Sequence, residues 1–205
     1  MKGWERFNSL VTSFLNIIYL NILWVVFSLL GGVAFGAFPA FSALFAMIRK
    51  KMILKESPDK LFVCFWKYYR KDFFKLNLYA IIFYLIGYIL YLNGMYLLVN
   101  AADFYFLVPG LLVILIIYLM TILFFFPVYV HYKLSFFQYL KQSFFIAVVS
   151  PLESLGALFV VIFLSSAIIW IPGASLFFVG SFFGICLTYL AHNAINKANK
   201  RLEKT

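Results

Sequence analysis

Of the 205 residues, 65% are hydrophobic and 12% charged, against about half and about a quarter in an ordinary soluble domain, which excludes a water-soluble globular fold. The apolar runs are continuous, which excludes a transmembrane β-barrel built from alternating strands of about ten residues. The net charge of +10, from 17 Lys+Arg against 7 Asp+Glu, comes with no nucleic-acid motif and reads as loops held in the cytosol against anionic headgroups.

The chain is expected to be one all-α polytopic membrane domain over residues 1–205. It has five to six transmembrane or re-entrant helices and two amphipathic helices on the cytosolic face. Residues 10–30 read as the first span, about 30 Å long at 1.5 Å per residue. That run is longer than a signal-peptide core and no small-x-small site follows, so it is expected to be retained. Asn16 and Asn21 place polar groups in hydrocarbon, which penalises them unless a neighbouring helix supplies a partner. Interhelical bonding is the expected role, ahead of a polar path.

Residues 33–48 form a short segment. Gly32, Gly36 and Ala40 recur every four positions and predict a small-residue edge for close helix approach. Pro39 lacks a backbone donor and is expected to bend or break the helix. The stretch Arg49–Lys75 holds nine Lys/Arg, and the N-terminus is basic as well. The positive-inside rule puts both on one side, so residues 31–48 are expected to bring the chain back, by spanning or by re-entering.

Ser57-Pro58-Asp59 reads as a helix start, with a hydroxyl cap, a first-turn proline and an acid at the positive dipole end. The predicted amphipathic helix 58–75 gathers Phe62, Phe65, Trp66, Tyr69 and Phe73 on one side. Lys60, Lys67, Lys71 and Lys75 fall opposite, as in a helix lying on a membrane or docking a partner. Together with Arg49, Lys50 and Lys51, Lys60, Lys67 and Lys71 form the expected cytosolic basic interface.

The next span is 76–99, with Asn77 as an intramembrane polar group at its start. The connection Asn100–Asp103 has no basic residue, as an outside loop should. Residues 104–130 return to His131, Lys133 and Lys141. Residues 135–149 form the second amphipathic helix, with Phe136, Phe137, Leu140 and Phe144 opposite Gln138, Lys141 and Gln142. Ser150-Pro151-Leu152-Glu153 matches a capping box, which is the favoured reading of Glu153 ahead of an intramembrane acid. Spans at 152–170 and 175–194 follow, the latter with a Gly180/Gly184 edge. Lys197, Lys200, Arg201 and Lys204 close the chain on the inside, so both termini are expected in the cytosol.

Chemistry is sparse. Ionisable residues away from the span ends are almost absent, which weakens proton coupling and acid–base catalysis. There is no phosphate loop, nucleophile elbow or zinc-protease motif. Cys64 and Cys186 read as free thiols. His131 and His192 lie near helix ends on one face and can meet, but a metal needs further ligands. No catalytic, cofactor or metal site is assigned, and no enzyme is expected. Of the 22% aromatic residues, Trp24 and Trp170 can stack on sugar rings, with packing or interface anchoring the better reading of each.

The runs Leu20-Asn21-Ile22-Leu23-Trp24, Gly36-Ala37-Phe38-Pro39-Ala40, Ala43-Leu44-Phe45 and Arg49-Lys50 resemble the opening of YesL-family bacterial membrane proteins. Phe65-Trp66-Lys67, Tyr69, Phe73-Phe74 and Asn77 are similar to that family's next block. Phe126-Pro127, Leu140-Lys141-Gln142 and Pro151 are similar to its later half. The resemblance implies five or so spans, and a gene neighbourhood of oligosaccharide ABC importers and polysaccharide-degrading enzymes in Gram-positive bacteria. The family has no established catalytic set to carry over. The expected function is an accessory protein of oligosaccharide ABC import in the bacterial cytoplasmic membrane. It would act through contacts in the bilayer with permease subunits or with itself, and not with nucleic acid. The alternatives are a stand-alone channel or carrier, which needs a polar path, and, less favoured, a membrane enzyme.

Overall fold

The computed structural model describes residues 2–54, 60–100 and 104–202. The predicted helix start at Ser57-Pro58-Asp59 and residues 101–103 of the predicted outside loop lie outside the described residues. Among the described residues, eight α-helices follow one another: α1 (Lys2–Leu30), α2 (Ala37–Met52), α3 (Leu61–Lys71), α4 (Phe73–Val99), α5 (Val108–His131), α6 (Phe136–Val149), α7 (Pro151–Trp170) and α8 (Pro172–Leu202). One 3-10 turn, Tyr105–Leu107, leads into α5. Among the described residues, five stretches are long and apolar enough to cross a bilayer: Val11–Leu30, Phe73–Val99, Val108–His131, Pro151–Trp170 and Phe178–Asn199. The protein is therefore an all-α, multi-pass membrane protein.

Local chemistry sets where these helices begin and end. Pro151 and Pro172 occupy the first positions of α7 and α8, where a missing N–H is harmless. At the start of α6 the Ser135 N–H donates to Gln138 Oε1 at 3.0 Å, the reciprocal half of a capping box. Pro39 also falls in a first turn, three residues into α2. It therefore starts the helix that it was expected to bend or break. The predicted helix 58–75 is shorter than its pattern: α3 stops at Lys71, Asp72 leaves helical geometry at φ −120° and ψ 25°, and α4 begins at Phe73. At the other end of the chain, α8 continues to Leu202, two turns past the predicted 194.

Contacts between helices give the directions of travel. Phe14 and Phe178 pack ring on ring at 5.7 Å, and the Ser181 hydroxyl donates to the Ile17 carbonyl at 2.9 Å. The apolar stretches of α1 and α8 thus start side by side. α8 ends beside Glu153, which Lys197 pairs with at the start of α7. α1 ends with Phe27 packed among Phe65, Trp66 and Tyr69 of the basic helix α3. The two helices run in the same direction. The start of α1 and the end of α8 therefore lie at opposite ends of the bundle.

α2 is shorter than the five helices of crossing length. Its 16 residues rise only about 24 Å, against about 30 Å of hydrocarbon. Near its start, the Ala34 carbonyl accepts from the Tyr84 hydroxyl at 3.0 Å, less than halfway along α4. Ser42, Ala46, Arg49 and Lys50, spread over most of its length, all face one cavity at the basic end. Both its start and its end thus lie in the basic half of the bundle. Its opposite side is buried, with Ala40, Ala43, Leu44 and Phe45 fully inaccessible. Phe45 stacks on Phe126 of α5 at 5.7 Å, and Phe41 meets Trp24 of α1 at 4.9 Å. α2 thus joins the α1–α3 cluster to the larger core of α4 to α8.

Candidate functional site

The helices that end or begin at the basic end converge on a cavity of about 370 Å³. α2 contributes Arg49 and Lys50 from its last turn, and α3 contributes Lys71 from its own. Cations are favoured there because the helix dipole ends negatively. Asp72 and Lys75 come from the α3–α4 joint, and Tyr132, Lys133 and Leu134 from the linker after α5. Five cations face the space against one carboxylate among the described lining residues.

Tyrosines hold this arrangement in place. The Tyr139 hydroxyl donates to the Tyr132 carbonyl at 3.1 Å and accepts from the Leu134 N–H at 3.2 Å, and so fixes the linker that carries Lys133. The Tyr79 hydroxyl donates to the Phe136 carbonyl at 2.8 Å and anchors the start of α6. Lys75 lies over the rings of Tyr139 and Tyr129, 5.0 and 5.7 Å from their centroids, within the range of cation–π attraction. The Asp72 carboxylate faces the Tyr129 hydroxyl. Burial pushes the Tyr132 phenol above its ordinary value, against hydrogen bonds to Asn199 and Gln142 that pull it down. It stays a neutral donor near neutral pH. Chemically the cavity is a set of ammonium, guanidinium and phenol groups, with the single Asp72 carboxylate among its described lining, that can hold an anion.

Of the predicted basic interface, the structure brings Arg49, Lys50 and Lys71 into the cavity. Lys60 and Lys67 are exposed elsewhere. Lys51 turns away from the cavity; its Nζ is buried without a hydrogen-bond partner, and burial pulls its pKa down. Sequence reasoning missed Lys75, Lys133, Asp72 and the tyrosines as members of one site. The available signal was the spacing of Tyr129, Tyr132 and Tyr139 across a helix end flanked by lysines.

The other predicted positions lie elsewhere. Asn21 is fully buried and its Oδ1 accepts from the Ser181 N–H at 2.9 Å, joining α1 to α8. Asn16 is half-buried on α1. Asn77 donates to the Phe73 carbonyl of its own helix at 3.0 Å, and its Oδ1 is buried without a partner. Gly180 lies against Asn21 and Trp24, and Gly184 against Ile48 and Leu44, so both serve packing within the chain. Gly32, Gly36 and Ala40 do not form one helical edge. Gly32 sits in the α1–α2 turn at φ +69°, which suits glycine, with open space where a Cβ would be. Gly36 is pressed against the Phe27 and Ser28 carbonyls.

The assignment of Glu153 to a capping box is also corrected. The Ser150 hydroxyl makes no capping bond and instead reaches the Ala194 carbonyl at 3.4 Å. Glu153 is buried and paired with Lys197. His131 and His192 do meet, with ring centroids 6.5 Å apart. Among the described residues, no group of three or more His, Cys, Asp or Glu is placed to hold a metal.

Comparison with known proteins places the chain in a family. A family described as a protein of unknown function, DUF624, matches residues 17–94. The chain is 30% identical to the uncharacterized protein YesV of Bacillus subtilis over 187 residues, covering 89% of this chain and 88% of the relative. It is 30% identical to the uncharacterized protein YesL of the same organism over 205 residues, 96% and 93% of the two chains. YteU of that organism, also described as uncharacterized, is 28% identical over 182 residues, 89% and 82% of the two. No solved structure matches. With a five-span helical fold, and relatives of this identity aligned along most of its length, the chain belongs to the YesL-like DUF624 family of membrane proteins.

Proposed function

We propose that this protein is an accessory subunit of the bacterial cytoplasmic membrane that acts by contact with another membrane protein, the permease of an oligosaccharide ABC importer. It performs no chemistry of its own in this reading. The basic end faces the cytosol, as the positive-inside rule favours, and the start of α1 faces outward.

The observation that carries the reading is the far half of α4. Only 11% of its most apolar window is buried within the chain. Beside it, Leu90, Gly94, Leu98, Leu111 and Leu115 line an open apolar groove of about 370 Å³ between α4 and α5. At Gly94 the nearest atom to a built Cβ is 4.0 Å away. Lipid tails are as apolar as leucine, so helices associate in membranes through close packing at small residues. The groove has the shape and chemistry for a partner helix. A carrier would need a continuous polar path, and the bond between Asn21 and Ser181 takes up buried polar groups that could have lined one. The importer as partner rests on the resemblance alone.

Affinity capture of the tagged protein from native membranes in mild detergent should recover an importer permease. Gly94→Leu should reduce that recovery several-fold while the protein's own level is unchanged. Capture that returns no transporter component would sink the proposal.

A further inference from the structure

We infer that the tyrosine-walled basic cavity binds a phosphate-bearing anion, carried either on a phospholipid headgroup or on a soluble phosphate ester. The inference stands whether or not a permease is the partner, because it uses different residues at the other end of the bundle.

Inside loops of membrane proteins are commonly basic, so charge alone would not make a site. Three features separate this cavity from scattered surface lysines. First, the cations come from three separate elements and converge: Arg49 from α2, Lys71 and Lys75 around the α3–α4 joint, and Lys133 from the α5–α6 linker. Like charges gathered around one space repel each other, and an anion between them lowers that repulsion. Second, their supports are fixed. Lys75 is held over two tyrosine rings, and Tyr139 bonds the linker at two backbone positions, so little ordering remains to be done on binding. Third, among the described residues none of Arg49, Lys71, Lys75 and Lys133 forms a salt bridge. The nearby Asp72 faces Tyr129.

The donor set suits phosphate. A guanidinium offers a planar fork, ammonium groups offer point charges, and phenols add neutral donors. A volume of about 370 Å³ lies at the lower end of small-molecule sites, about 300–1,000 Å³. That holds a phosphate with a small polar group attached.

The test uses the full chain in phosphatidylcholine nanodiscs and reads the thermal unfolding midpoint. One arm titrates inorganic phosphate and glycerol phosphate; the other replaces part of the lipid with phosphatidylglycerol. The midpoint should rise by a few degrees in at least one arm. A rise with the soluble ions identifies a phosphate ester, and a rise with phosphatidylglycerol alone identifies a headgroup. Both outcomes support the inference. Lys133→Gln, an exposed substitution that leaves the core untouched, should weaken the apparent affinity about tenfold or more, as expected for one charge-assisted bond. Lys75→Gln should do the same, with its ligand-free midpoint separating folding from binding. Lys67→Gln, on α3 outside the cavity, should bind like the wild type. No rise in either arm, or an equal loss in Lys67→Gln and Lys133→Gln, would overturn the inference.

Discussion

Glu153 is 8% exposed, and a carboxylate that far from water needs a partner that stays. Lys197, 44 positions along the chain, provides it. Lys197→Met should destabilise the protein by about 1.5–3 kcal/mol, the worth of a hydrogen bond to a charged group. The lower end applies, because the lysine side chain is 53% exposed and solvent screens the pair. Pairing Lys197→Met with Glu153→Gln should recover most of the loss, since the carboxylate charge that Lys197 balances is then gone too. Thermal unfolding in detergent reads both, and a Lys197→Met protein that melts with the wild type would show that the pair contributes nothing. The sequence pattern around Ser150 points to a local cap, and local pattern is all that a single chain read in order can offer. The crossing of α7 and α8 decides otherwise. Lys75 was hidden for a related reason: a helical wheel continued through residue 75 puts it with the lysines of α3. The break at Asp72 starts a new helix and turns Lys75 over Tyr129 and Tyr139 instead.

At the scale of elements, glycine spacing was legible and its partner was not. Gly180 and Gly184 mark a close approach, and the structure places α1 and α2 there, with a built Cβ at Gly180 lying 2.6 Å from the Trp24 ring and 2.8 Å from Asn21 Oδ1. Gly180→Ala should therefore cost about 1–3 kcal/mol, as overpacking does. It also displaces the acceptor of the Ser181 N–H. Gly184→Ala meets first the Cδ1 tip of Ile48, a flexible end that can move, and should cost less. Gly173→Ala, with open space around the built Cβ, should be nearly neutral. A fluorescence-detected melting series gives the order directly, and Gly184→Ala falling further than Gly180→Ala would reverse the packing account. Pro39 teaches the complementary point. Proline breaks a helix only where a preceding turn exists to be broken, and composition could not show that α2 starts at Ala37 and leaves Pro39 in its first turn.

Across the whole molecule, the helical membrane class and all five crossing segments could be read from apolar run length alone, because hydrocarbon thickness sets that length. The path of the chain at its start could not. Counting the N-terminus as a basic anchor leads to a hairpin made of α1 and α2. Yet the contacts of α1 with α8 run parallel, and five stretches among the described residues are long and apolar enough to cross, which favours an odd number of crossings. The difference is testable in a Cys64→Ser, Cys186→Ser background probed with a membrane-impermeant maleimide on intact cells. Asn8→Cys, near the start of α1, and Ala101→Cys, between α4 and α5, should both label from outside. Ser57→Cys, between α2 and α3, should label only after permeabilisation. A protein with both ends of its helical bundle in the cytosol would protect Asn8→Cys along with Ser57→Cys while leaving Ala101→Cys reactive. Asn8→Cys is therefore the position that separates five crossings from six. Labelling there also bears on the basic cavity: with an odd number of crossings and Ala101 outside, Arg49, Lys71, Lys75 and Lys133 all face the cytosol, where phosphate esters and anionic headgroups are both within reach.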